Sequence, residues 1–63
     1  MKLFEYREYQ NKSQDECAKE LNISRQYYNE IETGRREPGK KLIKDIIVWS
    51  GGLIKLTDLW VMK

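Results

Sequence analysis

The chain has no histidine and a single cysteine, Cys17, among its 63 residues. An intramolecular disulfide is therefore impossible, and a structural zinc site lacks its ligands. The same shortage removes most nucleophilic and metal-hydrolytic chemistry, because no base accompanies the one thiol. Cys17 reads instead as a small core residue, in keeping with a reducing cytoplasm. Long apolar runs are missing too. The longest, Ile46 to Trp49, falls far short of the ~20 residues that span a bilayer. The N-terminal residues are charged and carry no apolar stretch, so no signal peptide is expected. Catalysis, a metal, a cofactor, a small-molecule substrate and a membrane partner all lack residues to support them.

A chain of this length is expected to be one domain, residues 1–63. Domains this small bury only about 60% of their unfolded surface and are marginal without a supplement. With disulfides and metals excluded, self-association is the natural one.

Charge is nearly balanced, at a net +2, but it is unevenly placed. Arg35, Arg36, Lys40, Lys41 and Lys44 form a basic strip interrupted only by Glu37, whereas the stretch from Asp15 to Glu32 holds five acids and two basic residues. A basic strip beside an acidic body suits an edge that faces phosphates.

The punctuation divides the chain into short helices. Leu3, Phe4, Tyr6 and Tyr9 mark a first helix ending near Asn11. Ser13 and Glu16 have the spacing of a capping box, which opens a second helix from about Gln14 to Leu21 with Cys17, Ala18 and Leu21 on one face. Lys12, just before Ser13, leaves out the usual hydrophobic staple. Asn22 stands where that helix must stop, and asparagine tolerates the left-handed conformation. Ser24 caps a third helix running to about Thr33, with Tyr28 and Ile31 inward and Gly34 as its terminator. After Pro38 and Gly39, the residues Leu42, Ile43, Ile46, Ile47 and Trp49 give a fourth helix its apolar stripe. Gly51 and Gly52 close it. A short extended piece, Leu53 to Leu56, is expected next, followed by a last turn capped by Thr57 and containing Leu59 and Trp60.

The segment from Gln14 to Ile31 carries the functional signal. Two helices joined by a turn of three to four residues meet at a steep angle. Cys17, Leu21, Ile23, Tyr28 and Ile31 fill that angle, and Ala18 lets the helices cross closely. Arg25, Gln26, Asn29 and Glu30 are left facing outward. The forked donors and acceptors of arginine, glutamine and asparagine match guanine and adenine edges in the major groove.

These residues bear a family resemblance. The run Gln14–Asp15–Glu16–Cys17–Ala18–Lys19–Glu20–Leu21–Asn22–Ile23–Ser24–Arg25–Gln26, with Ile31–Glu32–Thr33–Gly34 and Pro38, resembles the Cro/repressor-type (XRE-type) helix-turn-helix family. The ending from Gly51 to Leu59 is similar to the tail of small Cro-like phage proteins. The resemblance implies an all-α fold, a compact five-helix lambda-repressor-like domain with its helix-turn-helix at about residues 14–33. It implies base contacts from Arg25, Gln26 and Asn29, and phosphate or backbone contacts from Gln14, Ser24, Tyr27, Arg35, Arg36 and Lys40. Arg7 and Glu32 match a pair that forms an internal salt bridge in the family. The bulky Tyr28 replaces a common valine or isoleucine, which bears on the tilt of the recognition helix.

The expected partner is double-stranded DNA, bound in the cytoplasm of a bacterial cell or phage-infected host. The implied function is a Cro-like transcriptional repressor that binds a palindromic operator as a homodimer. Val48, Leu53, Trp60 and Val61 offer the dimer surface, with 53–63 as a possible dimerisation tail. Two alternatives are an antitoxin of a toxin–antitoxin pair, for which little chain remains to hold a toxin, and a protein-interaction module that keeps the fold without DNA contact, against which the basic strip argues.

Overall fold

The computed structural model describes residues 1–59, and among them five helices follow in order: α1 Leu3–Tyr9, α2 Gln14–Glu20, α3 Arg25–Glu32, α4 Lys40–Trp49 and α5 Leu56–Leu59. Trp60 and Val61, assigned by sequence to the dimer surface, lie outside the described residues.

The first four helices end by the same device. A residue in the left-handed conformation follows each: Asn11 (φ 56°), Asn22 (φ 60°), Gly34 (φ 80°) and Gly51 (φ 65°). The next N–H then reaches back five residues, Lys12 to the Arg7 carbonyl, Ile23 to Ala18, Arg35 to Glu30 and Gly52 to Ile47, at 2.8–3.1 Å. This satisfies carbonyls that the helix itself leaves open. Asparagine can take this place because its short polar side chain lowers the cost of positive φ.

The helix starts are equally local. Ser13 Oγ accepts from the Glu16 N–H and Glu16 returns a carboxylate oxygen to the Ser13 N–H, at 3.1 and 2.9 Å. Ser24 Oγ accepts from the Tyr27 N–H at 3.1 Å. At α5 the sequence reading needs correction. Leu56 already belongs to the helix and Thr57 sits inside it, while Leu53 and Ile54 form bends rather than an extended piece. The start is made by Lys55, whose N–H donates to the Asp58 carboxylate at 2.9 Å.

One apolar cluster joins all five helices: Leu3, Tyr6, Cys17, Ala18, Leu21, Tyr28, Ile31, Leu42, Ile46, Ile54 and Leu59. Tyr28, Cys17 and Ile54 are fully buried. Phe4 and Tyr9 of α1 face outward. Trp49 closes the end of the cluster edge-on to Tyr6, ring centroids 4.9 Å apart, a geometry that adds to simple burial. Its indole N–H donates to Glu20 Oε1 at 2.7 Å, and Lys12 Nζ donates to the same oxygen. The α4–α5 turn is held by buried Ser50, whose hydroxyl donates to the Ile47 carbonyl and accepts from the buried Ile54 N–H. Without it that amide would lose its one partner among the described residues, in a dry site.

Candidate nucleic-acid interface

Ala18, 1% exposed, has only a methyl group at the α2–α3 crossing, so α3 packs closely on α2. The third helix thereby buries Tyr28 and Ile31 and keeps Arg25 and Gln26 exposed in its first turn. Gln14, at the first turn of α2, comes to the same place. Gln14, Arg25, Gln26 and Asn29 together line one polar depression.

A chain of polar contacts runs beneath that depression. Glu32 takes a two-pronged pair from Arg7, Nε to Oε2 at 2.9 Å and Nη2 to Oε1 at 3.1 Å. Gln14 Nε2 donates to the same Oε1 at 2.9 Å, and Asn29 Nδ2 donates to Gln14 Oε1 at 3.2 Å. The remaining Arg7 nitrogen donates to the Lys12 carbonyl at 3.2 Å. One guanidinium and one carboxylate thus tie the end of α1, the start of α2 and the end of α3. The Glu32 side chain is 7% exposed and that of Arg7 21%.

Burial alone would raise the Glu32 pKa, but hydrogen bonds from Arg7 and Gln14 outweigh it and hold the group below the ordinary glutamate range. Below it lies the Tyr28 hydroxyl, fully buried and without a hydrogen-bond partner of ordinary geometry among the described residues. Burial, and then the nearby Glu32 carboxylate, push its pKa far up, so it stays a neutral phenol.

The other proposed contacts sit around α3. Tyr27 is half-buried. Its ring carries the Arg36 guanidinium at 5.3 Å, and its hydroxyl accepts from the Gly39 N–H at 3.4 Å. It therefore fixes the α3–α4 loop as well as facing outward. Arg35, Arg36 and Lys40 are exposed, with Arg36 also 3.8 Å from Glu30. Ser24 caps α3 and is exposed. Val48 projects from α4, 78% exposed, and Leu53 is 46% exposed.

Two of these links escape a reading of residue types alone, Arg36 on Tyr27 and the amide pair Gln14–Asn29. The second had a signal available: Asn29 and Glu32 stand three apart on α3 and so share a face. No helix among the described residues is long and apolar enough to cross a membrane.

Residues 3–47 match the family described as Helix-turn-helix. No curated protein and no solved structure matches the chain.

The Arg7–Glu32 pair generates a stability prediction. Arg7→Met leaves a carboxylate in a nearly closed site. The variant should lose about 3 kcal/mol, the low end for breaking a buried pair, since Arg7 keeps some water. The pH dependence has a definite sign. In the wild type the lowered pKa gives stability that is present above the unfolded value of about 4.3 and lost as pH falls through the folded value. In the variant burial raises the Glu32 pKa, so protonation relieves it. Urea titrations at successive pH values should therefore show the gap between the two proteins starting to narrow above the unfolded value of about 4.3, as the variant's carboxyl protonates, and narrowing further below it, as the wild type loses its own contribution. A gap under about 0.5 kcal/mol at neutral pH, the size of an exposed pair, contradicts this account.

Proposed function

We propose, from the premise that the chain belongs to the XRE-type helix-turn-helix family and is a DNA-binding transcription regulator, that it acts as a Cro-like repressor, bound as a homodimer to a palindromic operator. The observation that carries this reading is the depression formed by Gln14, Arg25, Gln26 and Asn29, with Arg36 held on Tyr27 of α3. The first turn of a recognition helix is the part that enters the major groove. Arg25 and Gln26 occupy that turn and are exposed, as base contact requires, while Gln14 and Ser24 sit at helix starts suited to phosphate oxygens.

Charge placement supports the same face. Lys40 and Lys41 occupy the first turn of α4, which has no acid there. Cations at the positive end of a helix dipole are locally unfavourable by about 0.3–1 kcal/mol. They make sense beside a polyanion. Arg35 and Arg36 extend the strip.

A single helix-turn-helix of this size reads few base pairs, and two copies on half-sites about 10 base pairs apart double the contacts. Val48 supports the pairing: it is the exposed apolar residue on the outer side of α4, near Lys41 and Lys44 in helical register, and it is left 78% exposed among the described residues.

Selection from a random duplex library, followed by binding at several salt concentrations, tests the reading. Arg25→Ala and Gln26→Ala should each cost about 1–3 kcal/mol on the selected site and relax preference at one base pair. Triple alanine replacement of Arg35, Arg36 and Lys40 should weaken all sequences alike and reduce the salt slope by roughly three ions. Unaltered specificity in the first pair, together with an unaltered slope in the triple variant, would place DNA on another face.

For the dimer, Val48→Asp changes an exposed position and should leave the fold intact. Full-palindrome affinity should drop to that of an isolated half-site, and sedimentation on the operator should show one protomer where the wild type shows two. Cooperative full-site binding by this variant moves the interface elsewhere.

A further inference from the structure

The chain of contacts from Arg7 to Asn29 has a polarity, and the polarity follows from chemistry rather than from distance alone. An ionised carboxylate only accepts. Glu32 is held ionised by the two-pronged guanidinium of Arg7, so Gln14 must turn its NH2 towards Glu32 Oε1, as the 2.9 Å contact requires. The Gln14 carbonyl oxygen is then committed to the other side, where it can meet only a donor. Asn29 supplies Nδ2 at 3.2 Å. Its own Oδ1 receives no hydrogen bond among the described residues, although Asn29 lines the depression shared with Arg25 and Gln26.

An asparagine free to rotate its amide reads bases ambiguously, because exchange of oxygen and nitrogen costs little. Here each link forbids the flip of the next. Turning Asn29 over would set its Oδ1 against Gln14 Oε1, and turning Gln14 would set two oxygens together at Glu32.

We propose that Glu32 and Gln14 are positioning residues that lock the Asn29 amide with its carbonyl outward, so that Asn29 selects a base carrying an exocyclic amino group, adenine or cytosine, over one carrying a keto oxygen at the strand position it faces. Adenine N6 and cytosine N4 are the amino donors of the major groove, and guanine O6 and thymine O4 are acceptors that would oppose Asn29 Oδ1. This deepens the operator reading above and rests on it.

The test is library selection with the wild type, Asn29→Ala, Glu32→Gln and Gln14→Met. Asn29→Ala identifies the position, as the one whose preference disappears. There the wild type should favour adenine or cytosine over guanine and thymine by about tenfold, the scale of one good base contact. A glutamine at position 32 can donate as well as accept, so both amide orientations become available. Gln14→Met removes the link but keeps the Arg7–Glu32 pair and hence the fold. In both variants the amino-over-keto ratio should fall below about twofold, with the preferences at the Arg25 and Gln26 positions retained. If Glu32→Gln does not fold, Gln14→Met decides alone.

The proposal is overturned if folded Gln14→Met keeps the tenfold ratio, if the wild type favours a keto base there, or if Asn29→Ala leaves every position unchanged. Failure of the wild type to enrich any sequence overturns the operator reading itself, a result the other three outcomes do not produce.

Discussion

A carboxylate that is almost closed off from water must find its hydrogen bonds within the protein, and Glu32 accepts three from two neighbouring helices. Arg7 comes from α1 with two nitrogens, Gln14 from the first turn of α2 with one. The desolvation of such a charge is expensive, and only geometry this complete offsets it. The angle between α2 and α3 is therefore constrained twice. The apolar filling of Cys17, Ala18, Tyr28 and Ile31 fixes it from inside, and the ionic tie fixes it at the rim. Hydrophobic packing alone tolerates small adjustments of helix position, whereas a bidentate pair tolerates few.

What this rigidity does is present a surface. The groups that hold the helices together at Glu32 continue outward as Gln14 and Asn29, so the structural network and the outward-facing polar depression share members. The α3–α4 loop is similarly dual: Tyr27 braces Gly39 through its hydroxyl and carries Arg36 on its ring. Two arginines and two lysines then stand exposed along the loop and the first turn of α4. In a 63-residue chain, using the proposed contact residues to hold the fold as well saves residues.

Features set by local chemistry were legible in the residues. The capping box at Ser13, the left-handed Asn22 and Gly34, and the helix starts at Gln14, Arg25 and Lys40 depend only on near neighbours, and the structure places them so. The start of α5 was misread because threonine is the better capping residue by type. Lys55 holds the position through its backbone N–H, with Asp58 three residues on supplying the carboxylate. Gln14–Asn29 and Arg36–Tyr27 were hidden for another reason. They depend on how far a long side chain reaches and where it points once α2 and α3 have packed, and residue type does not carry that direction. Ile54 falls between: it is fully buried, although the bends around it give no periodic pattern to read.

One face, made by the first turns of α2 and α3 and the α3–α4 loop, is the surface proposed to meet DNA. Titration of isotope-labelled protein with a duplex carrying its selected site, followed by backbone and side-chain amide shifts, tests this most directly. The largest shifts should map to Gln14, to Ser24 through Asn29 with its side-chain NH2, and to Arg35 through Lys41, while the buried amides of Ile46 and Ile54 stay nearly still. Shifts concentrated on α1 and the exposed faces of Phe4 and Tyr9, with the first turn of α3 unmoved, would contradict it.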